Sequence, residues 1–95
     1  MYTLEFEKAV KKDFKNINIP DIKFIKESLC SFVENFSFEF EQEFLETGKI
    51  KKLQGMDEEL YRLKLRTYRV IYKKEEDRLI ILVVSVKSRE NSYKK

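Results

Sequence analysis

Arg62, Lys64 and Arg66 alternate with Tyr61, Leu63 and Leu65 near the C-terminal end of this 95-residue chain. Tyr68-Arg69-Val70-Ile71-Tyr72 and Val84-Ser85-Val86-Lys87-Ser88-Arg89 continue the mixture of cations with aromatic and aliphatic groups. Successive side chains of a strand point to opposite faces. The alternation therefore sends the tyrosines and leucines into a core and lines one sheet surface with positive charge. Such a surface suits a polyanion. The chain has no histidine, which excludes chemistry built on paired imidazoles and leaves proton transfer to Lys, Arg, Tyr or a carboxylate. With one cysteine and no carboxylate cluster at ligand spacing on the basic face, no metal site and no cofactor are expected.

The formal net charge of +3 conceals a charge dipole along the chain. Residues 60–95 carry eleven Lys/Arg against four acids, or +7. Residues 34–46 carry Glu34, Glu39, Glu41, Glu43 and Glu46 with no base, or −5, while residues 1–33 and 47–59 are nearly balanced. Only the C-terminal part has the character of a phosphate surface. The Glu run is most simply a solvated helix face; a sharper alternative is that it screens the basic groove.

The elements that must position these cations follow from periodicity. A chain of this length predicts one domain, 1–95, burying roughly 60–65% of its unfolded surface. Tyr2, Leu4 and Phe6 alternate as a strand should. Val10 and Phe14, four apart among lysines, predict a short amphipathic helix over residues 7–15. Asp21 is the expected N-cap of a second helix with the stripe Ile22, Ile25, Leu29, Phe32/Val33, Phe36. Phe36, Phe38 and Phe40 fit a strand while Phe36, Phe40 and Phe44 fit a continuation of that helix, which is the favoured reading, and either ends at Thr47-Gly48. Residues 48–59 form a connector before three strands, 60–66, 68–73 and 79–86, with a polar loop at 73–78. Between the first two strands, Arg66-Thr67 lacks the Gly or Asn of a primed two-residue turn, which predicts an irregular or longer loop. Cys30 lies in the apolar stripe, which predicts a buried thiol, and a lone cysteine fits a reducing compartment. No uncharged run approaches the roughly 20 residues that span a bilayer, and residues 1–20 contain no apolar signal core. A cytoplasmic protein with no membrane partner is expected.

This order, β-α-α-β-β-β, together with four motifs, resembles the RelE/ParE superfamily of bacterial toxins, and its RelE branch most. The motifs are Lys52-Leu53-Gln54-Gly55-Met56, Tyr61-Arg62-Leu63-Lys64-Leu65-Arg66, Tyr68-Arg69-Val70-Ile71-Tyr72, and Val84 through Tyr93 with its Lys87-Ser88-Arg89. The resemblance implies a small α+β RelE-like fold, with an N-terminal strand and two helices packed on an antiparallel sheet. It also implies a type II toxin acting as a ribosome-dependent endoribonuclease on mRNA, with a cognate antitoxin as partner.

By the same resemblance, Arg62, Lys64, Arg69, Arg89 and Tyr93 hold the family's catalytic positions. Lys64 would be the base, Arg69 the phosphate clamp, Arg89 the group stabilising the transition state or protonating the leaving group's side, and Tyr93 the residue that stacks on or orients a base. Arg62 departs from the family's Lys: a guanidinium binds phosphate but hardly accepts a proton. Tyr93 follows Arg89 more closely than in relatives, and the stretch before Lys52 is longer than usual. Lys52, Arg66 and Lys87 would extend the groove toward RNA phosphates, and Ser88 is a weaker candidate. Two alternatives share the fold: a ParE-like gyrase inhibitor and a nonenzymatic nucleic-acid-binding module.

Overall fold

Alternating apolar and basic residues make the C-terminal half a meander of strands, and the N-terminal helices cover its apolar side. The computed structural model describes residues 1–55 and 58–88. In chain order the elements are β1 (Thr3–Phe6), α1 (Lys8–Lys15), α2 (Ile19–Glu34), α3 (Phe38–Thr47), β2 (Ile50–Lys52), β3 (Tyr61–Leu65), β4 (Tyr68–Glu75) and β5 (Ile80–Ser88). The sheet order is β1-β5-β4-β3-β2. Strands β2 to β5 pair antiparallel, whereas β1 runs parallel to β5, so the sheet is mixed. This is the expected α+β RelE-like architecture, with a third helix and a short edge strand added.

Both additions have local causes. The helical stripe does not run on through Phe36, because Asn35 closes α2, its side chain donating to the Ser31 carbonyl at 2.8 Å. Ser37 then starts α3, its hydroxyl accepting from the Phe40 N–H at 3.1 Å. Phe36 sits between the helices, edge-on to Phe32 at 5.4 Å. Gly48 ends α3 in the left-handed region (φ 82), as expected. At the start of α2 the cap is Asn18 rather than Asp21. The Asp21 N–H donates to Asn18 Oδ1 at 2.9 Å, and Pro20 fits in the first turn, where its missing N–H costs nothing.

The core lies between the helices and one sheet face: Val10, Ile25, Leu29, Phe32 and Val33 meet Tyr61, Leu63, Val70, Tyr72, Val83 and Val86. Tyr61, Tyr68 and Tyr72 are all buried, as the alternation predicts. Cys30, in contrast, is exposed. It lies one residue past Leu29, off the buried stripe.

Two irregularities set the face on which the basic groups emerge. Ile71 lies opposite Ser85 but Tyr72 lies opposite Val83, which leaves Val84 as an extra residue in β5. The bulge switches the alternation, so Ile81, Val83 and Val86 are all buried and Lys87 emerges opposite Arg69. At the β3–β4 hairpin the turn is only Arg66-Thr67, with Arg66 left-handed (φ 57). A non-glycine residue there costs about 1 kcal/mol or more. The guanidinium of Arg66 lies 3.7 Å over the Phe24 ring, a contact that offsets the strain.

Candidate functional site

Strand pairing gathers the cations on the open sheet face into two rows. Lys64 lies opposite Arg69 across β3–β4, and Arg69 lies opposite Lys87 across β4–β5. One step along, Lys51 on β2 lies opposite Arg62 on β3. Directly facing side chains have Cβ atoms about 5 Å apart, and like charges so placed repel. Lys51, Arg62, Lys64 and Arg69 line one pocket of about 350 Å³ with Arg66, Thr67 and Tyr68. Among the described residues none of these four cations has a carboxylate partner. The Arg62 Nε is buried with no hydrogen-bond acceptor among them.

The sequence-predicted residues therefore separate into groups. Arg62, Lys64 and Arg69 come together, and Arg66 joins them from the turn. Lys87 stands opposite Arg69, but its Nζ is 2.7 Å from Asp13 Oδ1, while Asp13 Oδ2 accepts from the Val86 N–H at 2.9 Å. Asp13, buried on α1, thereby satisfies an N–H on the stretch of β5 that β1 does not reach. Lys52 lies opposite the buried Tyr61 and pairs with Glu59 at 3.4 Å, which places it on the other side of β2 from the Arg62 row. Lys51 takes the place beside Arg62, and sequence reasoning missed it because β2 was read as connector. The signal was present: Ile50, fully buried, alternates with Lys51. Arg89 and Tyr93 lie outside the described residues, as does Met56 of the first motif.

The other end of β4 is built the opposite way. Glu41 of α3, in the middle of the acidic run, is only 3% exposed. It accepts from the Tyr72 hydroxyl and from Lys74 Nζ, each at 2.8 Å. The solvated-face expectation fails at this residue. Burial, together with the neighbouring Glu41 charge, pushes the Tyr72 phenol far above its ordinary value. Burial opposes the Lys74 charge, yet the hydrogen bond and charge of Glu41 outweigh it and raise Lys74 overall. A further tie, Tyr68 hydroxyl to Asp21 Oδ2 at 2.5 Å, fixes the start of β4 next to Arg69 against the first turn of α2.

A larger cavity, about 720 Å³, opens between α2, α3 and the free end of β3, with Phe24, Phe32, Phe40, Phe44, Leu63 and Leu65 as its apolar lining. It meets the cationic pocket at Lys64 and Arg66, which line both. The smaller pocket is where cations without a carboxylate partner among the described residues converge. Among the described residues there is no cluster of three metal-ligating side chains, and no helix is long and apolar enough to cross a membrane.

Comparison with known proteins agrees with this geometry. The profile of the ParE toxin of type II toxin–antitoxin systems, parDE, matches residues 4–93. No curated protein sequence matches significantly. The fold is similar to that of RelE in the archaeal RelE–RelB complex from Pyrococcus horikoshii, with a TM-score of 0.65 and 26% identity over 93% of this chain and 94% of that one. It is similar to the toxin–antitoxin complex RelBE of E. coli, with a TM-score of 0.65 and 24% identity over 93% and 96%. It is also similar to the isolated E. coli RelE toxin, with a TM-score of 0.64 and 24% identity over 93% and 84%. A family profile that spans nearly the whole chain, on a RelE-like fold, makes this protein a member of the RelE/ParE superfamily of type II toxin–antitoxin toxins.

Proposed function

We propose that the protein is a RelE-like mRNA interferase, a ribosome-dependent endoribonuclease that cuts mRNA and arrests translation until a cognate antitoxin neutralises it. The observation that carries this reading is the facing pair Lys64–Arg69, uncompensated by any described carboxylate and shared by one pocket with Arg62. Cleavage by the neighbouring 2′-hydroxyl needs a base for that hydroxyl, cations for the charge that develops on the five-coordinate phosphate, and a proton for the departing 5′-oxygen. Lys64 is the residue assigned to take the 2′-hydroxyl proton, and Arg69 holds the phosphate oxygens by its guanidinium fork. The new bond joins the 2′-oxygen to phosphorus as the bond to the 5′-oxygen breaks, and the departing oxygen takes up a proton on the side that family resemblance assigns to Arg89, leaving a cyclic phosphate and a 5′-hydroxyl. No metal ion enters this scheme. Arg89 and Tyr93 are assigned to the transition state and the substrate base by family resemblance alone, and Arg66 to RNA phosphates beside the pocket. The solved relatives include complexes of RelE with RelB. An antitoxin segment with apolar and acidic side chains fits this protein's apolar groove and its Lys64–Arg66 rim.

The test is a reconstituted translation reaction containing the purified protein, with message ends mapped by primer extension and a ribosome-free control. Cuts that require ribosomes support the reading, and an intact message in a translating reaction sinks it. A second reading, gyrase inhibition without RNA cleavage, is favoured by the parDE description of the matching family. A supercoiling assay on the same preparation separates the two.

A further inference from the structure

The two cation rows are not equivalent, and their spacing has a consequence for substrate binding. Arg62 and Lys64 are two residues apart on β3, so the Lys51–Arg62 row and the Lys64–Arg69 row lie roughly 7 Å apart along the strand. That is close to the separation of neighbouring phosphates along a single nucleic-acid strand. The rows also differ in chemistry. Lys64–Arg69 contains an amine that can exchange a proton, whereas in Lys51–Arg62 the guanidinium keeps its charge and acts as a binder. The Arg62 Nε is buried without an acceptor and Lys51 has no described carboxylate partner. Along the same face Arg62 is followed by Ile71 and Ser85 rather than by further charge, so the second row is a compact two-cation seat at the β2 edge.

We propose that the face is a two-phosphate clamp for single-stranded RNA. Lys64 and Arg69 hold the reacting phosphate, while Lys51 and Arg62 hold the adjacent phosphate, so the strand runs along β3 rather than across the sheet. This rests on the RNA-directed reading of the site. Lys51 is then a substrate-binding residue, and Arg62 a binding residue rather than a participant in proton transfer. The arrangement also accounts for an Arg at position 62: a seat for a permanently charged neighbour favours the planar fork over an amine.

The experiment uses the full-length protein and a three-nucleotide 2′-O-methyl RNA, which cannot be cut, followed by fluorescence anisotropy across a salt series. Each lost phosphate contact should flatten the slope of log K against log salt by about 0.7 for single-stranded nucleic acid. Lys51→Ala and Arg62→Ala should each flatten it by about that amount, Arg62→Lys should largely retain it, and the surface control Lys11→Ala should leave it unchanged. The same trinucleotide with a neutral methylphosphonate at one internal linkage then assigns the seats. Neutralising the linkage held by Lys51–Arg62 should weaken binding to wild type several-fold and have little effect on the Lys51→Ala/Arg62→Ala double variant. An equal weakening in both proteins overturns the clamp. In the ribosome reaction, Lys51→Ala should raise the concentration needed for half-maximal cutting while leaving the maximal rate within a few-fold; a fall in the maximal rate alone also overturns it. If wild type cuts no message while the slope and methylphosphonate effects hold, the enzyme reading fails and the clamp stands. Cutting without those effects gives the reverse.

Discussion

The two ends of β4 carry cations in opposite states. Lys74, toward the β4–β5 loop, is paired with the buried Glu41, and its neighbour Lys73 reaches Glu58 at 3.4 Å. Arg69, near the β3–β4 turn, faces Lys64 and has no described carboxylate within reach. A compensated charge in a half-buried site holds α3 onto the sheet; an uncompensated one repels its neighbour and gains only when an anion arrives. The pairing state thus separates cations that serve the fold from cations available to a ligand. Their residue types alone do not.

Substitutions that break this contrast should have effects of very different kind. Arg69→Ala should reduce message cutting by about 100-fold or more, the usual loss when one donor to a transition-state oxyanion is removed. Its urea midpoint should stay near wild type, because a surface change away from packing alters stability by about 0.5 kcal/mol or less. Glu41→Ala should do the reverse, lowering stability by about 3 kcal/mol in urea unfolding by stranding Lys74 and the Tyr72 hydroxyl.

The alkaline limb of stability sharpens the comparison further. Tyr72 and Lys74 both have folded values above their ordinary 10.0 and 10.5. Their contribution is therefore whole below about those values and is lost as the pH rises from there toward the folded ones. Thermal melting should show a falling midpoint above about pH 10, and Tyr72→Phe should flatten the part due to the phenol. A midpoint that stays level across that range would contradict the buried pairing. The smallest effect belongs to the turn that borders the cationic pocket. Arg66→Ala keeps the φ 57 strain and loses the stack on Phe24, whereas Arg66→Gly loses the stack and the strain together. The glycine variant should be the more stable of the two by about 1 kcal/mol.

The cationic face was legible in the sequence because a strand's alternation is a local property: Tyr61, Leu63 and Leu65 had to go inward, so Arg62 and Lys64 had to go outward. The tyrosines of β4 followed by the same rule. What escaped depended on partners far along the chain. Glu41 resembled its solvated neighbours until Tyr72 and Lys74, 31 and 33 residues away, came to lie beside it. Lys51 was hidden because a three-residue strand has too little pattern to separate it from a loop. The break between α2 and α3 was signalled by Asn35 and Ser37, but the aromatic spacing of Phe36, Phe40 and Phe44 suggested continuity more strongly. The bulge at Val84 cannot be read from a run of β-branched and aliphatic residues that suits either face, yet it decides that Lys87 emerges beside Arg69.

The most direct test of the distinction between paired and unpaired charge is to measure message cutting and urea stability side by side for Arg69→Ala and Lys74→Ala. The account predicts that Arg69→Ala abolishes cutting in a protein as stable as wild type, and that Lys74→Ala weakens the fold while the folded protein still cuts at nearly the wild-type rate. If Arg69→Ala cuts normally, or if loss of cutting in each variant merely tracks loss of stability, the open cationic face is not the functional site.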